Sequence, residues 1–367
     1  MKKLSCRVLV VGGGPAGATA CRELNRLGIN NILLEKNLNF TKPCGGGLMM
    51  SAFSEFNIPK SLIHKKINKI EIISPTLKRA MVDIKDYPLT IVNRYEFDRK
   101  LRKLAREGGT TIIEAKAYNI DLKNSPIVFA KSKNMEFEIH AQYIIAADGV
   151  NSTLRKKALN ETPTRTITRY MNIENRDIDS CQFWFGSDIS PKHYSWIFPH
   201  HNRINIGLAC DNEKQITEYF HNFLKKSGLK SNNRAKGYYI PQWSSKRVVY
   251  FKKNIFFVGD SASMVLPFTY EGIYYAMKSA SIAVNAISKN EPSLYQKEWE
   301  RLYLKKFKFL RLLQRLFLSN DYFSERLVQL YQKKSFQKSV ITYWMGEKEP
   351  TDTIYTIWKF IKVIFKY

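Results

Sequence analysis

The chain has 367 residues, more than one hydrophobic core usually holds, because single cores stop growing near about 250 to 300 residues. Hydrophobic residues make up 44% and aromatic residues 13%, a composition that excludes an intrinsically disordered protein. The formal net charge of +27 favours contact with phosphates, nucleic acid or anionic lipid headgroups, although a lysine-rich proteome explains the same excess.

The cysteines and the N-terminal segment predict a reducing compartment. The cysteine count is odd, with no CxxC pair and no cluster with histidine, so we expect no metal site. Residues 1–3 lead directly into the first strand, which leaves no room for a cleavable signal peptide, and no run of about 18 apolar residues predicts a membrane span. We expect a cytoplasmic protein, or one peripheral to the cytoplasmic face of a membrane. The cysteines are Cys6, Cys21, Cys44, Cys181 and Cys210.

The first elements form a strand, a glycine loop, a helix and a second strand. Residues 7–11 are largely β-branched and apolar, which is typical of a strand buried on both faces. Gly12, Gly14 and Gly17 follow it and begin a helical pattern that ends at Gly28. This spacing predicts a dinucleotide-binding turn, in which glycine permits the tight bend and lets the backbone approach a pyrophosphate.

Glu35 ends the second predicted strand, 21 residues after Gly14. A carboxylate at this position can accept hydrogen bonds from ribose hydroxyls, and it selects a 2′-hydroxyl over a 2′-phosphate. The alternative is an ordinary glycine-rich turn followed by a surface glutamate. The strand and helix on either side of the glycines favour the dinucleotide interpretation.

The later elements alternate between strands and helices. Residues 67–92 suggest antiparallel strands, and residues 160–249 are strand-like and rich in aromatic side chains, as in an inserted lobe. From residue 293 onward we predict helices. Between these segments the pattern predicts strands at residues 110–115, 143–147 and 255–259 and helices at 95–106 and 272–288.

Two aspartates follow predicted sheet strands. Asp148 comes after Ala146-Ala147, and Asp260 comes after Val258-Gly259. Ligands collect at the carboxyl edge of such a sheet, so each carboxylate is a candidate for binding a cofactor. Taken singly, each pair of aspartate and glycine is also typical of a turn.

The motifs in this order resemble the geranylgeranyl reductase family, within the larger group of FAD-dependent flavoproteins that includes the aromatic hydroxylases. The resemblance covers most of residues 1–290. The Cys-Gly-Gly-Gly loop and the Tyr-x-Trp-x-Phe-Pro box are its most specific parts. The matching segments are VVGGGPAG at 10–17, KPCGGGL at 42–48, NRYEFDRKL at 93–101, AADGVNSTLR at 146–155, YSWIFP at 194–199 and VGDSASMVLPFTYEGI at 258–273.

The resemblance implies an α/β fold with a Rossmann-type FAD-binding domain, an inserted antiparallel-sheet substrate domain and a helical C-terminal tail. The FAD-binding domain is expected in three pieces, and the substrate domain in two. The expected boundaries are 1–50, 92–158 and 250–290 for the first, 51–91 and 159–249 for the second, and 291–367 for the helical region.

The resemblance also implies which residues bind FAD. The residues expected to bind the adenosine half are Gly12, Gly14, Gly17 and Glu35, with Pro15, Ala16 and Lys36 beside them. Arg94 and Asp260 are expected to bind the pyrophosphate and ribityl parts, with Gly259 beside Asp260, and Asp148 fits the family's second dinucleotide motif. The residues expected to lie against the isoalloxazine ring are Cys44, Gly45, Gly46, Gly47, Pro267, Gly272 and Ile273.

Tyr270 departs from the family pattern, because the family usually has a glycine at this position of the PxxGEGI motif. A ring at this position is expected to narrow the cavity or cover the flavin, and either effect would leave less room for a long prenyl chain. We therefore add Tyr270 to the candidate substrate-binding residues. The others are Trp184, Tyr194, Trp196 and Phe198, for which core packing of the inserted sheet is the alternative.

The implied activity is reduction of a C=C bond in a prenyl lipid, with a hydride from reduced FAD and a proton from a donor on the protein. We take Cys44 as the candidate donor, since a thiol in apolar surroundings stays protonated; the alternative is that it only packs as a small apolar residue. Only one dinucleotide motif is present, so the electrons are expected from transiently bound NAD(P)H or from a protein carrier.

Two other functions fit the same sequence. One is an FAD-dependent monooxygenase of an aromatic or quinone-like substrate. The other is a non-catalytic flavoprotein or basic binding protein, although the basic residues are dispersed and form no recognised nucleic-acid module. The sequence makes no prediction about the oligomeric state.

Two basic amphipathic segments are candidates for contact with an anionic membrane surface. In residues 354–367 three lysines fall on one face of a helical wheel, opposite an apolar face. In residues 301–318, Arg301, Lys305, Lys308 and Arg315 share a face. The alternative is that both helices pack on the body of the protein with their lysines in water.

Overall fold

The computed structural model describes residues 1–174, 177–244 and 248–345, and it divides into two compact units. The first unit contains residues 1–42, 94–165 and 241–301. The second unit contains residues 43–93 and 166–240 and continues from residue 302. The candidate segment at 354–367 lies outside the described residues.

The described strands and helices follow one another as an α/β chain. The strands are β1 Lys2–Val11, β2 Asn31–Glu35, β3 Gly47–Met49, β4 Ile63–Ile67, β5 Lys69–Ile73, β6 Arg79–Asp83, β7 Leu89–Val92, β8 Thr111–Glu114, β9 Lys116–Asp121, β10 Ile127–Lys131, β11 Glu136–Ala146, β12 Arg165–Glu174, β13 Cys181–Trp184, β14 Ser195–Pro199, β15 Arg203–Cys210, β16 Lys236–Pro241, β17 Phe251–Lys252 and β18 Ile255–Phe257. The helices are α1 Pro15–Arg26, α2 Ser51–Glu55, α3 Arg94–Glu107, α4 Thr153–Leu159, α5 Ile216–Ser227, α6 Ile273–Ser288, α7 Ser293–Trp299, α8 Lys305–Phe317, α9 Asp321–Tyr331 and α10 Lys334–Met345.

The first unit is built on a sheet whose strands run in the order β17-β18-β11-β1-β2-β8, with β10 and β9 added beside β11. Strands β18, β11, β1, β2 and β8 are parallel. Residues 8–11 of β1 are at most 5% exposed, as expected for a parallel strand covered on both faces. Because the parallel strands end at the same edge, the segments that follow β1, β2, β11 and β18 gather there.

The second unit contains a seven-stranded sheet in the order β16-β12-β15-β14-β13-β5-β6 and a three-stranded sheet β3-β7-β4. In the large sheet β12, β15, β14 and β13 pair antiparallel in that order, as do β5 and β6, whereas β13 and β5 are parallel; both pairings of the small sheet are antiparallel. The predicted antiparallel lobe is confirmed. Its description as strands throughout was wrong, because residues 216–227 form α5. The apolar residues Ile216, Phe220 and Phe223 have helical spacing and pack into the core of the large sheet.

Between residue 293 and residue 345, where the described part of the chain ends, the predicted C-terminal helices are confirmed as α7 to α10, with a π-helical turn at Glu300–Leu304 between α7 and α8. Lys305, Lys308 and Arg315 of α8 are exposed, whereas Phe307 and Leu310 of the same helix are buried. No helix within the described residues is both long enough and apolar enough to cross a lipid bilayer.

Candidate functional site

Two positions of the glycine loop after β1 have no room for a side chain. Gly12 has a φ of +103°, and a Cβ built on it would lie 2.2 Å from the carbonyl oxygen of Ala147. A Cβ on Gly17 would lie 1.9 Å from the carbonyl oxygen of Gly12. These two glycines therefore allow the turn and the close packing of α1 on the strands.

Gly14 differs from these two glycines, because a Cβ built on it would have no atom within 4 Å. It is the N-cap of α1, and no side chain caps this helix end. Pro15 begins the helix without an N–H group, so the free N–H groups of the first turn are those that follow it. This open helix N-terminus suits an anion such as a pyrophosphate.

Glu35 and Arg102 hold the glycine loop from β2 and α3. The Glu35 Oε2 accepts a hydrogen bond from the Gly13 N–H at 2.6 Å, and its Oε1 accepts one from Asn37 at 3.0 Å. The buried Arg102 donates to the carbonyl oxygens of Gly13 at 3.0 Å and Leu38 at 2.9 Å. The loop is thus positioned by both a carboxylate and a guanidinium.

Arg94 begins α3 and forms a buried bidentate ion pair with Asp98. The Nε–Oδ1 distance is 2.9 Å and the Nη2–Oδ2 distance is 2.7 Å, with both side chains 6% exposed. Arg94, Asp98 and Arg102 recur every four residues, so they share one face of α3. This spacing is the sequence signal that would have identified Arg102, which the motif comparison missed.

Asp148 is fully engaged in holding the turn between β11 and α4. Its Oδ1 accepts from the Ser152 hydroxyl at 2.6 Å and its Oδ2 accepts from the Leu154 N–H at 3.0 Å. Burial raises the pKa of the Asp148 carboxyl above its ordinary value, and the hydrogen bonds partly oppose this shift. In this structure Asp148 therefore fixes the backbone beside the glycine loop.

Asp260 lies in the 3₁₀ turn Gly259–Ala262 that follows β18, and it forms an ion pair with Lys42. Gly259 has a φ of +58°, and a Cβ on it would lie 3.0 Å from the Cβ of Ala276. A Cβ built on Gly272 would lie 3.7 Å from Asp260 Oδ1, so the carboxylate is close to the start of α6. Gly272 caps that helix, again without a side-chain hydrogen bond, and Ile273 is its first residue.

The loop between Ala262 and Gly272 holds three non-glycine residues in the left-handed region. The φ values are +54° for Ser263, +82° for Phe268 and +55° for Tyr270. The Tyr270 N–H donates to the Leu266 carbonyl at 3.0 Å, and its hydroxyl accepts from Gln242 at 3.4 Å. The left-handed backbone explains physically why a glycine suits the Tyr270 position.

In the second unit, the Cys-Gly-Gly-Gly loop packs against the Tyr-x-Trp-x-Phe-Pro box. A Cβ on Gly45 would lie 2.5 Å from Cδ2 of Phe198, whereas one on Gly47 would lie 3.5 Å from the same ring. Gly46 has a φ of +81° and donates to the Cys44 Sγ at 3.3 Å. The two motifs that were most specific in the sequence are therefore adjacent in space.

The aromatic candidates divide into two groups. The Phe183 ring lies 5.2 Å from Tyr194 and 5.3 Å from Phe198, and the Tyr194 and Trp196 rings are 6.4 Å apart. Trp184 points away from these rings into the hydrophobic core, 5.7 Å from Phe223, as the core-packing alternative predicts. Phe183 joins the candidate set, although the sequence pattern did not single it out.

Residues 5–290 match the family model described as an FAD binding domain. The chain belongs to this family of FAD-binding proteins. It is 29% identical over 396 residues to the chloroplastic geranylgeranyl diphosphate reductase of Arabidopsis thaliana, covering 93% of this chain and 80% of the relative. It is 28% identical to the geranylgeranyl diphosphate reductase of Rhodobacter capsulatus, covering 92% and 91% respectively.

Among solved structures, this flavoprotein is similar to a geranylgeranyl bacteriochlorophyll reductase-like protein from Thermoplasma acidophilum. The TM-score is 0.82 at 24% identity, covering 94% of this chain and 98% of the other. The predicted fold class and the resemblance to the geranylgeranyl reductases are confirmed. The protein is an FAD-dependent oxidoreductase related to these reductases.

The residues of the first unit fit FAD. The open space at Gly14 and the uncapped N-terminus of α1 form a cradle that an added Cβ would begin to fill. Gly12 and Gly17 are required by the turn itself, so Gly14 is the glycine whose role depends on a ligand. Lys42 begins the KPCGGGL motif, and the sequence pattern did not predict it as a site residue; its ion pair with Asp260 places it at the same sheet edge.

Proposed function

We propose that this flavoprotein reduces C=C bonds of an isoprenoid lipid. The observation that carries the proposal is the contact between Gly45 and Phe198, which joins the two motifs in which the sequence most resembles the reductases. The names of the relatives in Arabidopsis and Rhodobacter support the same chemistry over most of the chain. An apolar surface of Phe183, Tyr194 and Phe198 suits an isoprenoid chain.

The first unit would hold FAD. The N–H groups at the start of α1 would bind the pyrophosphate, with Gly14 leaving room for it, and Glu35 would accept hydrogen bonds from the ribose. Arg94 and Asp260 would bind the pyrophosphate and ribityl parts. Pro267, Gly272 and Ile273, together with the uncapped N-terminus of α6, would stabilise negative charge on the ring system.

Bound FAD in its reduced form would supply the hydride for the reaction. The Cys44 thiol, half-buried and fixed by the hydrogen bond from Gly46, would supply the proton to the substrate. Phe183, Tyr194 and Phe198 would position the apolar chain and exclude water. The reductant of FAD would be NAD(P)H or a protein carrier that binds transiently.

The test is anaerobic reoxidation of the purified flavoprotein. The bound flavin is reduced with dithionite, or with NADPH or NADH, and its visible spectrum is followed after addition of a geranylgeranyl lipid without oxygen. Return of the oxidised spectrum together with a reduced lipid product supports the proposal. Reoxidation by oxygen alone, stimulated by an aromatic substrate, would instead support a monooxygenase.

We also propose that the protein meets an anionic membrane surface. The exposed Lys305, Lys308 and Arg315 on α8 support this, together with the amphipathic sequence of residues 354–367. The test is sedimentation with vesicles of anionic and of neutral lipid, for the full chain and for a chain without residues 352–367. Equal sedimentation of both chains with anionic vesicles would contradict a role for the segment.

A further inference from the structure

An ion pair between Lys42 and Asp260 joins two segments of the first unit that are 218 residues apart in the chain. The Lys42 side chain is 25% exposed and the Asp260 side chain is 12% exposed, so water shields the two charges only in part. Removing one partner of such a pair leaves the other charge poorly solvated. The proposed flavin site uses Asp260 and gives Lys42 no role.

The two carboxylate oxygens of Asp260 differ in their partners. Oδ2 accepts a hydrogen bond from the Lys42 Nζ, whereas Oδ1 has no hydrogen bond within residues 1–174, 177–244 and 248–345. Oδ1 lies 3.7 Å from the position of a Cβ on Gly272, at an end of α6 that no side chain caps. Both oxygens of a carboxylate accept hydrogen bonds, so Oδ1 is available to a donor on a ligand.

The backbone at Asp260 is fixed, but its side chain needs a further contact to hold one orientation. The Ser261 hydroxyl donates to the Ala146 carbonyl at 2.6 Å, and the Ser263 N–H donates to the Asp260 carbonyl at 3.1 Å. The terminal torsion of an aspartate is broad, so a carboxylate on a fixed backbone still rotates. The ion pair with Lys42 selects the orientation in which Oδ2 meets the ammonium group and Oδ1 lies toward the start of α6.

Lys42 also balances the charge of this edge of the sheet. The pyrophosphate of FAD is negatively charged, and an unpaired carboxylate beside it would be repelled. The Lys42 ammonium group offsets the charge of Asp260 and leaves Oδ1 as an acceptor. An uncharged hydroxyl is then the donor that suits Oδ1, and the ribityl chain of the flavin carries hydroxyl groups.

We propose that Lys42 is a positioning residue for FAD that acts through Asp260. Its ammonium group holds Oδ1 in place for a hydroxyl of the ribityl chain and does not itself bind the pyrophosphate. The inference rests on the proposed assignment of Asp260 to this part of FAD. It gives the basic residue at the start of the KPCGGGL motif a role in binding the flavin rather than the substrate.

A double-mutant cycle on FAD affinity tests whether Lys42 acts through Asp260. Lys42→Met keeps the length of the side chain without its charge, and Asp260→Asn keeps the shape of the carboxylate. Release of FAD from the loaded protein on dilution, followed by fluorescence, gives the dissociation constants. Each single variant should bind FAD at least about tenfold more weakly. The double variant should lose no more than about threefold beyond the weaker single variant, because both changes break the same interaction.

Lys103→Met is the matched control for the cycle. It breaks an exposed ion pair with Glu107 on α3 of the same unit, so it should keep the natural FAD affinity. Losses that multiply in the double variant would show that Lys42 contacts FAD directly, which overturns the proposal. A loss in Asp260→Asn with none in Lys42→Met would keep the assignment of Asp260 and reject the role of Lys42. No loss in either variant would reject the assignment of Asp260 as well.

Adenosine diphosphate separates the positioning role from a phosphate contact and from damage to the fold. It carries the adenosine and pyrophosphate parts of FAD without the ribityl chain. Its affinity is measured from the displacement of FAD out of the loaded protein. Lys42→Met and the natural protein should have the same affinity for adenosine diphosphate, although their affinities for FAD differ. Weaker binding of both ligands to Lys42→Met would overturn the proposal, because a direct phosphate contact or a distorted turn predicts that result.

Discussion

The Phe198 ring occupies the position of a side chain on Gly45, since a Cβ built there would lie 2.5 Å from Cδ2 of the ring. This contact fixes the loop that carries Cys44 on the aromatic box. It also makes two motifs that are about 150 residues apart in the chain depend on each other.

Gly45→Ala should destabilise the protein by about 1 to 3 kcal/mol, because the added methyl group must displace the Phe198 ring or the loop. Urea unfolding measures this change. Gly47→Ala is the matched control, since its Cβ would lie in ordinary contact with the same ring at 3.5 Å. Equal stability of the two variants would contradict the close packing of the Phe198 ring on Gly45.

Gly12→Ala and Gly14→Ala should separate the folding role of the glycine loop from its binding role. Gly12→Ala places a methyl group 2.2 Å from a carbonyl oxygen at a φ of +103°, so we expect loss of the folded protein or of its flavin. Gly14→Ala meets no atom within 4 Å, so the stability of the flavin-free protein should be unchanged.

FAD affinity then decides the role of Gly14. We expect Gly14→Ala to bind FAD at least about tenfold more weakly, since the backbone at this position must approach the pyrophosphate. Titration of the flavin-free protein with FAD, followed by fluorescence, measures this. Undiminished affinity in Gly14→Ala would show that the pyrophosphate lies elsewhere.

Tyr270→Gly should leave the free energy of unfolding unchanged or raise it by up to about 1 kcal/mol. Glycine adopts the left-handed backbone without strain, which stabilises the folded protein, but it also adds conformational freedom to the unfolded chain, which offsets part of that gain. Phe268→Gly is the contrasting variant. It relieves a φ of +82° but removes a ring that is 4% exposed, so we expect a loss of about 3 kcal/mol or more. If the Tyr270 ring limits the space for substrate, Tyr270→Gly should also accept longer prenyl chains in the reductase assay.

Cys44→Ala should lower the rate of the reductase reaction by about a hundredfold or more, because a positioned proton donor contributes that much. The flavin content, measured from the visible spectrum, should stay the same. Cys6→Ala, in β1 of the first unit, is the control and should keep the wild-type rate. Wild-type turnover and flavin content in Cys44→Ala would leave the thiol with a packing role only.

His200 should make stability depend on pH. Its pKa falls from 6.5 to about 4 on folding, so below pH 6.5 the unfolded chain takes up a proton that the folded protein does not. Proton uptake therefore favours the unfolded chain, so the free energy of unfolding is highest above pH 6.5 and falls as the pH drops from 6.5 toward 4. Between pH 7 and pH 5 we expect a loss of about 2 kcal/mol from this residue, measured by urea unfolding.

The matched variants isolate the histidine. His200→Gln keeps a group that can hydrogen-bond to Gly45 but cannot titrate, so the drop between pH 7 and pH 5 should shrink by about that amount. His221→Gln, at an exposed position on α5, should show the same pH dependence as the natural chain. An unchanged drop in His200→Gln would show that His200 does not stay neutral on folding.

Much of the first unit could be predicted from the sequence alone. The turn at Gly12 and Gly17 needs particular residues for local steric reasons, and the helices at residues 95–106 and 272–288 follow from spacing along one segment. The helix α5 had the same kind of signal in Ile216, Phe220 and Phe223, but the surrounding aromatic strands obscured it.

The tertiary structure decided which distant residues meet. The sequence by itself determined the FAD-binding segment, because the turn requires Gly12 and Gly17 for steric reasons and the spacing of Gly14 between them matches a dinucleotide-binding turn. The sequence could not distinguish Trp184, which lies in the core, from Phe183, which lies beside the Tyr-x-Trp-x-Phe-Pro box. Adjacent residues of a strand lie on opposite faces of the sheet, and the pairing of β13 with β14 decides which of the two residues lies on the face of the box. Nor could the sequence bring His64 to His200, because that contact depends on a bulge in one sheet and a hairpin in another.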